Sequence, residues 1–280
     1  LWNDLDLIVG LRMEHTALNY SGYNWVVDDL DNEQGYLEPT GEKKNDYINL
    51  LPSVLLKYNA TEDLKLRASF TKTISRPKYS ALIPCVHYNI AEEEASFGNA
   101  NLKPTTSYNL DLGGEYYFKS VGLVSVGLFY KNIKDVIAEE KWKSTNDPNI
   151  PSGLLNEDGD PVKYEISKPI NAYDADLLGV EVALQRDFGF ITPALKCLGF
   201  YGTYTYTYSS TKNHKFEHRE LGEGEKIKMT GSPEHTANAS LYFEHKGINI
   251  RASYNFASAF VDEFGTAAEL DRYYDCVNYL

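Results

Sequence analysis

Along most of this chain apolar and polar residues alternate with a period of two. In 64–75, Leu64, Leu66, Ala68 and Phe70 share one face, and Lys65, Arg67, Ser69 and Thr71 share the other. In 106–118 the apolar face is Tyr108, Leu110, Leu112, Tyr116 and Phe118, against Asn109, Asp111 and Glu115. The pattern returns in 175–187, where Leu178, Val180, Val182 and Leu184 oppose Glu181 and Gln185. In 197–209 Phe200, Tyr204, Tyr206 and Tyr208 oppose Thr203, Thr205 and Thr207. In 248–257 Ile248, Ile250, Ala252, Tyr254 and Phe256 oppose Asn249, Arg251, Ser253 and Asn255. A period of two is that of a β-strand with two unlike faces. Strands are expected near 4–20, 47–58, 64–75, 106–118, 123–132, 175–187, 197–209, 236–244, 248–257 and 273–280. No segment of comparable length has helical periodicity, so the expected class is nearly all-β.

The connections sort by length. Those at 59–63, 119–122, about 188–194 and 245–247 are short; those at about 21–46, 76–105, 133–174, 210–235 and 258–272 are long. Long and short alternate down the chain. Successive hairpins of an antiparallel up-and-down barrel put every short turn on one rim and every long loop on the other, as transmembrane β-barrels do. A water-soluble sandwich has no reason to sort its loops. Most segments run to ten residues or more, against about 5–6 for an ordinary strand; a tilted strand needs about 9–11 to cross a bilayer. On this reading Leu112, Val126, Val182 and Ile250 face lipid, and Arg67, Asp111, Glu115, Glu181 and Arg251 form a water-facing lumen wall. The 64–75 strand runs from the short-turn rim to the long-loop rim. Pro77 cannot donate a ladder hydrogen bond and stops it, which places Lys72, Arg76 and Lys78 at headgroup height.

Composition narrows the picture. The 280 residues are 42% hydrophobic, yet no run approaches the roughly 18 apolar residues of a spanning helix. A helical membrane protein is excluded, whereas a β-barrel, whose strands alternate, is not. Twenty-two tyrosines suit strands and wet-to-greasy boundaries. A net charge of −13 argues against nucleic acid as a partner, because phosphate binding needs a basic surface. Cys85, Cys197 and Cys276 are odd in number and far apart, so they read as small apolar fillers rather than a disulfide framework. Residue 1 lies inside one alternating stretch and residue 280 just after another begins, so the chain reads as a piece of something longer.

Two segments carry a resemblance. Thr73-Ile74-Ser75-Arg76-Pro77-Lys78-Tyr79-Ser80 ends a strand ahead of a long loop, and Gly98-Asn99-Ala100-Asn101-Leu102-Lys103-Pro104-Thr105 leads into the next strand. With the flanking 51–137, and more loosely 231–256, they resemble the barrel of TonB-dependent outer-membrane receptors. The second segment departs from that pattern at Ala100 and Thr105, where Pro and Glu are usual. The resemblance implies a 22-stranded barrel plugged by an N-terminal globular domain. Residues 1–280 would be part of that one barrel domain, about ten strands, without the plug, the TonB box or the final strands. It further implies ligand capture on extracellular loops and import driven through TonB, in the outer membrane of a Gram-negative cell. The implied partners are TonB, a small nutrient such as an iron chelate or an oligosaccharide, outer-membrane lipid and, where a receptor works with one, a surface lipoprotein; no cofactor is implied.

Trp25, Tyr36, Tyr79, His87, Tyr88, Trp142 and Tyr164 fall on the expected long loops. Their rings suit stacking on a sugar or a chelate, and equally suit packing of loop on loop. The acidic runs 28–31, 92–94 and 156–160 lack the spacing of a Ca²⁺ loop, and His214 with His218 lacks the order of a zinc-protease motif. Asn59-Ala60-Thr61 fits a glycosylation sequon but falls on a short-rim turn and reads as turn chemistry. No nucleophile motif or phosphate loop is present in the sequence, so no enzyme activity is expected. Nutrient uptake is thus the leading function. The alternatives are a passive porin or barrel enzyme and, further off, a soluble carbohydrate-binding β domain. The loops are acidic overall, which mildly disfavours a strongly anionic ligand unless arginines and lysines inside the lumen compensate.

Overall fold

The computed structural model describes residues 4–29, 34–89, 92–119, 122–145, 161, 163–220 and 227–279, with backbone alone at 25–29, 34, 35 and 88. The acidic runs at 28–31 and 156–160, and the side chains of Trp25 and Tyr88, lie outside what is described. The strands are β1 (Leu5–Tyr20), β2 (Tyr23–Asp29), β3 (Gln34–Pro39), β4 (Lys43–Asn59), β5 (Leu64–Ser75), β6 (Val86–Asn89), β7 (Glu94–Phe97) and β8 (Thr105–Tyr117). They continue as β9 (Gly122–Ser144), β10 (Tyr164–Asp187), β11 (Leu198–Lys212), β12 (His235–His245), β13 (Ile248–Ala257), β14 (Phe260–Glu263), β15 (Arg272–Tyr274) and β16 (Val277–Tyr279). One helical turn, α1 (Tyr79–Leu82), follows β5.

The main sheet has twelve strands. Its path is β1-β4-β5-β8-β9-β10-β11-β12-β13-β16, and β6 and β7 attach at the side of β10. Each strand on the path pairs antiparallel with the one before it, the meander of an up-and-down barrel. No described helix is long and apolar enough to cross a membrane. The short turns have local causes. Thr61 Oγ1 accepts from Asp63 N and Leu64 N, the hydroxyl-capped turn expected at the sequon. Lys246 and Gly247 both have positive φ (46° and 84°), as a tight two-residue hairpin demands.

Register puts the aliphatic residues on one face. Leu7, Val54, Phe70, Leu112, Leu128, Val182 and Leu241 all belong to it, and all are exposed to surroundings other than protein. A trough of about 970 Å³ is lined by Asp6, Lys57, Arg67, Asp111, Lys131 and Glu181 of the polar face and also by Leu7, Leu112 and Leu128 of the aliphatic one. Ile133 and Ala175, in phase with Lys131 and Glu181, bury against the loop residues Ile227, Val261 and Phe264, so the charged face is the inner, concave one that the loops cover. A soluble core would have the reverse arrangement.

Three expectations change. The long loop placed at 133–174 is mostly strand: β9 runs on to Ser144 and β10 begins at Tyr164. The alternation fails there because the pairing is bulged. Ile133 pairs with Ala175, Val136 with Tyr173 and Ile137 with Asn171, with Asp135 at a φ of 53°. One extra residue on each strand exchanges the faces, so even positions turn inward beyond the bulge. Secondly, the 273–280 strand is two short pieces, β15 on β14 and β16 on β13. Thirdly, all three cysteines are free, but only Cys85 is buried; Cys276 is exposed, so the filler reading fails there.

Candidate functional site

The long-loop end is built around the bulge. Asp174 accepts bonds from Lys134 Nζ (3.0 Å), Asp135 N (3.0 Å) and Asn213 Nδ2 (2.7 Å). Asn171 joins the bulge to the segment that follows Gly98: its Nδ2 donates to Lys103 O and Asp135 O, and Lys103 N donates to its Oδ1. Asn99 Nδ2 donates to Pro169 O, and Thr105, at the position where Glu is usual, donates its hydroxyl to Asp135 O (2.9 Å). The Gly98–Thr105 segment is therefore a clamp on the β9–β10 irregularity. Gly98 is required by close approach, since a Cβ there would stand 1.7 Å from Ile83 O. Arg76 ion-pairs with Glu14 on β1.

Parts of two long connections, 213–220 with 227–234 and 258–271, fold back against the concave face. Ile227, Val261 and Phe264 bury against Ile133, Val136, Ala172, Tyr173 and Ala175, with Phe216 and Met229 packed alongside. Tyr173 is fully buried; its ring lies edge-on to Phe264 and its hydroxyl bonds Thr230 Oγ1 at 3.2 Å. Arg219 and Asp271 form a buried ion pair with contacts of 2.5 and 3.1 Å, and Arg219 also donates to Gly265 O. Losing one partner of such a pair typically costs about 3–5 kcal/mol. Glu140 is buried and accepts from the backbone N–H of Glu217 and of His218. The His218 ring stacks on Trp142, 4.2 Å between centroids. These loops are thus held in place by their own core and do not hang free over the trough.

The aromatic candidates separate. Trp142 and Tyr164 meet in one cluster with Ala95, Phe97 and Ile166; Tyr164 is only 2% exposed, so it packs strand on strand in this conformation. Tyr36 and Tyr79 are open to solvent, on β3 and α1. His87, exposed on β6, has its Nε2 3.2 Å from Cys85 Sγ. On the wall, Arg67 makes two contacts with Glu115 (3.1 and 3.3 Å), and Tyr117 donates to the same carboxylate at 2.8 Å. Ser69 donates to Asp111 at 2.9 Å. Arg67, Asp111 and Glu181 share the large trough, whereas Arg251, over the Tyr242 ring, lines a second hollow at the short-turn rim. Asp135, Asn171 and Asp174 went unnoticed in the sequence; the break in alternation at 133–136 was their one signal.

The family model for the TonB-dependent receptor-like β-barrel matches residues 1–275. Solved structures with the same fold include the ferric-catecholate import receptor Fiu from E. coli K12. It is 14% identical with a TM-score of 0.65, over 98% of this chain and 35% of that one. The copper transporter OprC is 11% identical with a TM-score of 0.62, over 99% and 37%. The hemophore receptor HasR of Serratia marcescens is 15% identical with a TM-score of 0.54, over 92% and 43%. The chain thus spans well under half the length of these proteins, and at such identities the likeness is one of fold. No curated protein sequence matches the chain.

Proposed function

The chain belongs to the TonB-dependent receptor β-barrel family, and on that premise we propose that it is part of the wall of an outer-membrane receptor. The receptor captures a nutrient at the long-loop rim and passes it inward with energy delivered through TonB. One observation carries this reading: two ordered loop segments pack on the face of the wall that also carries Lys131 and Glu181. A buried Arg219–Asp271 pair anchors these loops, which suits a fixed surface for holding a ligand. The solved neighbours are described as transporters or receptors for ferric citrate, ferric catecholate, copper and hemophore-borne heme. Metal-bearing cargo is therefore the first class to test, with oligosaccharides second.

The test is growth of a strain lacking the receptor on separate iron and glycan sources, repeated in a strain lacking TonB. Loss of growth on the same source in both strains supports the reading. A defect that persists with the receptor absent but not with TonB absent would make the barrel a passive pore.

A further inference from the structure

Beside the loop core lies a cleft of about 730 Å³ between the β9–β10 extension and the segment 263–272. Its charge runs against that of the chain. Four cations line it, Lys141, Lys143, Lys163 and Arg272, and two carboxylates, Glu165 and Glu263; with Asp262, which pairs with Arg272 beside the cleft, the formal excess is one positive charge in a chain of net charge −13. Among the described residues Lys163 has no ion-pair partner, and Lys143 is held only loosely, 3.7 Å from Glu165 and 60% exposed. Lys141 is fixed in place by Glu263 at 2.8 Å, and Arg272 is shared between Asp262, at 2.5 and 2.8 Å, and Glu263, at 2.9 Å. The bond from Glu263 raises the Lys141 pKa and keeps the ammonium charged. Trp142, Phe264 and Leu270 supply apolar surface to the same cleft, and His218 covers one face of Trp142.

We propose that this cleft is a binding site for a polyanionic ligand, whose charged oxygens engage Lys143, Lys163 and the fixed Lys141–Arg272 pair while its body rests on the apolar surface. Ammonium groups on mobile stems collect several anionic oxygens without demanding one planar geometry, and charge-assisted bonds of this kind are about twice as strong as neutral ones. The lysines of β9 and the arginine of β15 converge on one cleft and offset the overall acidity of the loops there. The proposal names a ligand class for the receptor reading. Its test is equilibrium binding to purified protein and needs no transport, so the two readings fail separately.

The anionic oxygens can belong to a metal chelate or to an acidic sugar. Isothermal calorimetry on the intact receptor would use ferric citrate for the first, trigalacturonate for the second and maltotriose as the neutral control. At least one anion is expected to bind, and maltotriose is not. The exposed pair Lys143→Gln with Lys163→Gln should weaken that binding by about tenfold or more, and Glu165→Gln should tighten it. Heat-modifiable gel migration verifies that each variant keeps its barrel. Which anion binds identifies the source. Binding of neither anion, equal binding of maltotriose, or an unchanged Kd in the double variant would overturn the proposal.

Discussion

Placing a cation at Leu112 tests the two faces most directly. Leu112 lies on the convex face, 48% exposed, with Ala68 and Leu128 as cross-strand neighbours. Tyr108 and Tyr116 stand on the same face of β8, four positions to either side. At about 3.3 Å per residue and a tilt near 40°, each tyrosine is roughly 10 Å from Leu112 along the membrane normal. That puts Leu112 at mid-depth between two aromatic girdles. An Arg at the midplane costs about 2–4 kcal/mol, or roughly 30- to 700-fold in the folding equilibrium. Leu110→Arg, one step nearer Tyr108, should cost less. Asp111→Arg changes the concave face and removes one hydrogen bond from Ser69, worth about 0.5–1.5 kcal/mol. The assay is urea-driven unfolding of the purified barrel in liposomes, read by tryptophan fluorescence and heat-modifiable migration. The expected order of loss is Leu112→Arg, then Leu110→Arg, then Asp111→Arg, with the Leu112 penalty shrinking in thinner bilayers. A Leu112→Arg barrel as stable as the parent, or a penalty indifferent to bilayer thickness, would refute the lipid-facing assignment.

Further outcomes follow from the same geometry. With Ser144→Cys introduced into an intact receptor already carrying Cys276→Ser, an impermeant thiol reagent should label whole cells beyond the Cys276→Ser background; labelling only after the outer membrane is breached would mean the rims are inverted. Exposed Cys276 should react with a maleimide well before Cys85, whose thiol burial shields and pushes up in pKa; equal rates would show that the Cys85 loop opens freely. Gly98→Val should detach the 98–105 clamp, because the new Cβ meets Ile83 O. The outcome to look for is protease cleavage near 98–105 with the barrel band intact, and unchanged cleavage would deny the clamp its role.

Much of the wall was legible because a membrane strand must present unlike faces at every step, so Leu110, Asp111 and Leu112 declare their directions unaided. The short turns were legible too, since Lys246-Gly247 and Thr61 carry their own chemistry. The β9–β10 extension was not. Asp135 and Ala172 each add a residue, the two faces change places, and an alternation counted through Ile133 and Val136 reads as disorder. The loop core escaped for another reason: Phe264, Ile227 and Tyr173 come together from distant parts of the chain, and no periodicity announces such a meeting.

The protruding hairpin of β9 and β10 also has an electrostatic consequence. From Lys134 to Trp142 the strand advances eight positions, about 26 Å of backbone, or roughly 20 Å above the headgroups once tilt is allowed for. At physiological ionic strength the field of a charged surface decays over about 8 Å. Trp142 therefore stands more than two decay lengths from an anionic lipid surface. An anion approaching there meets the local lysines with the repulsion of the membrane almost fully screened, an advantage that a site flush with the bilayer would not have.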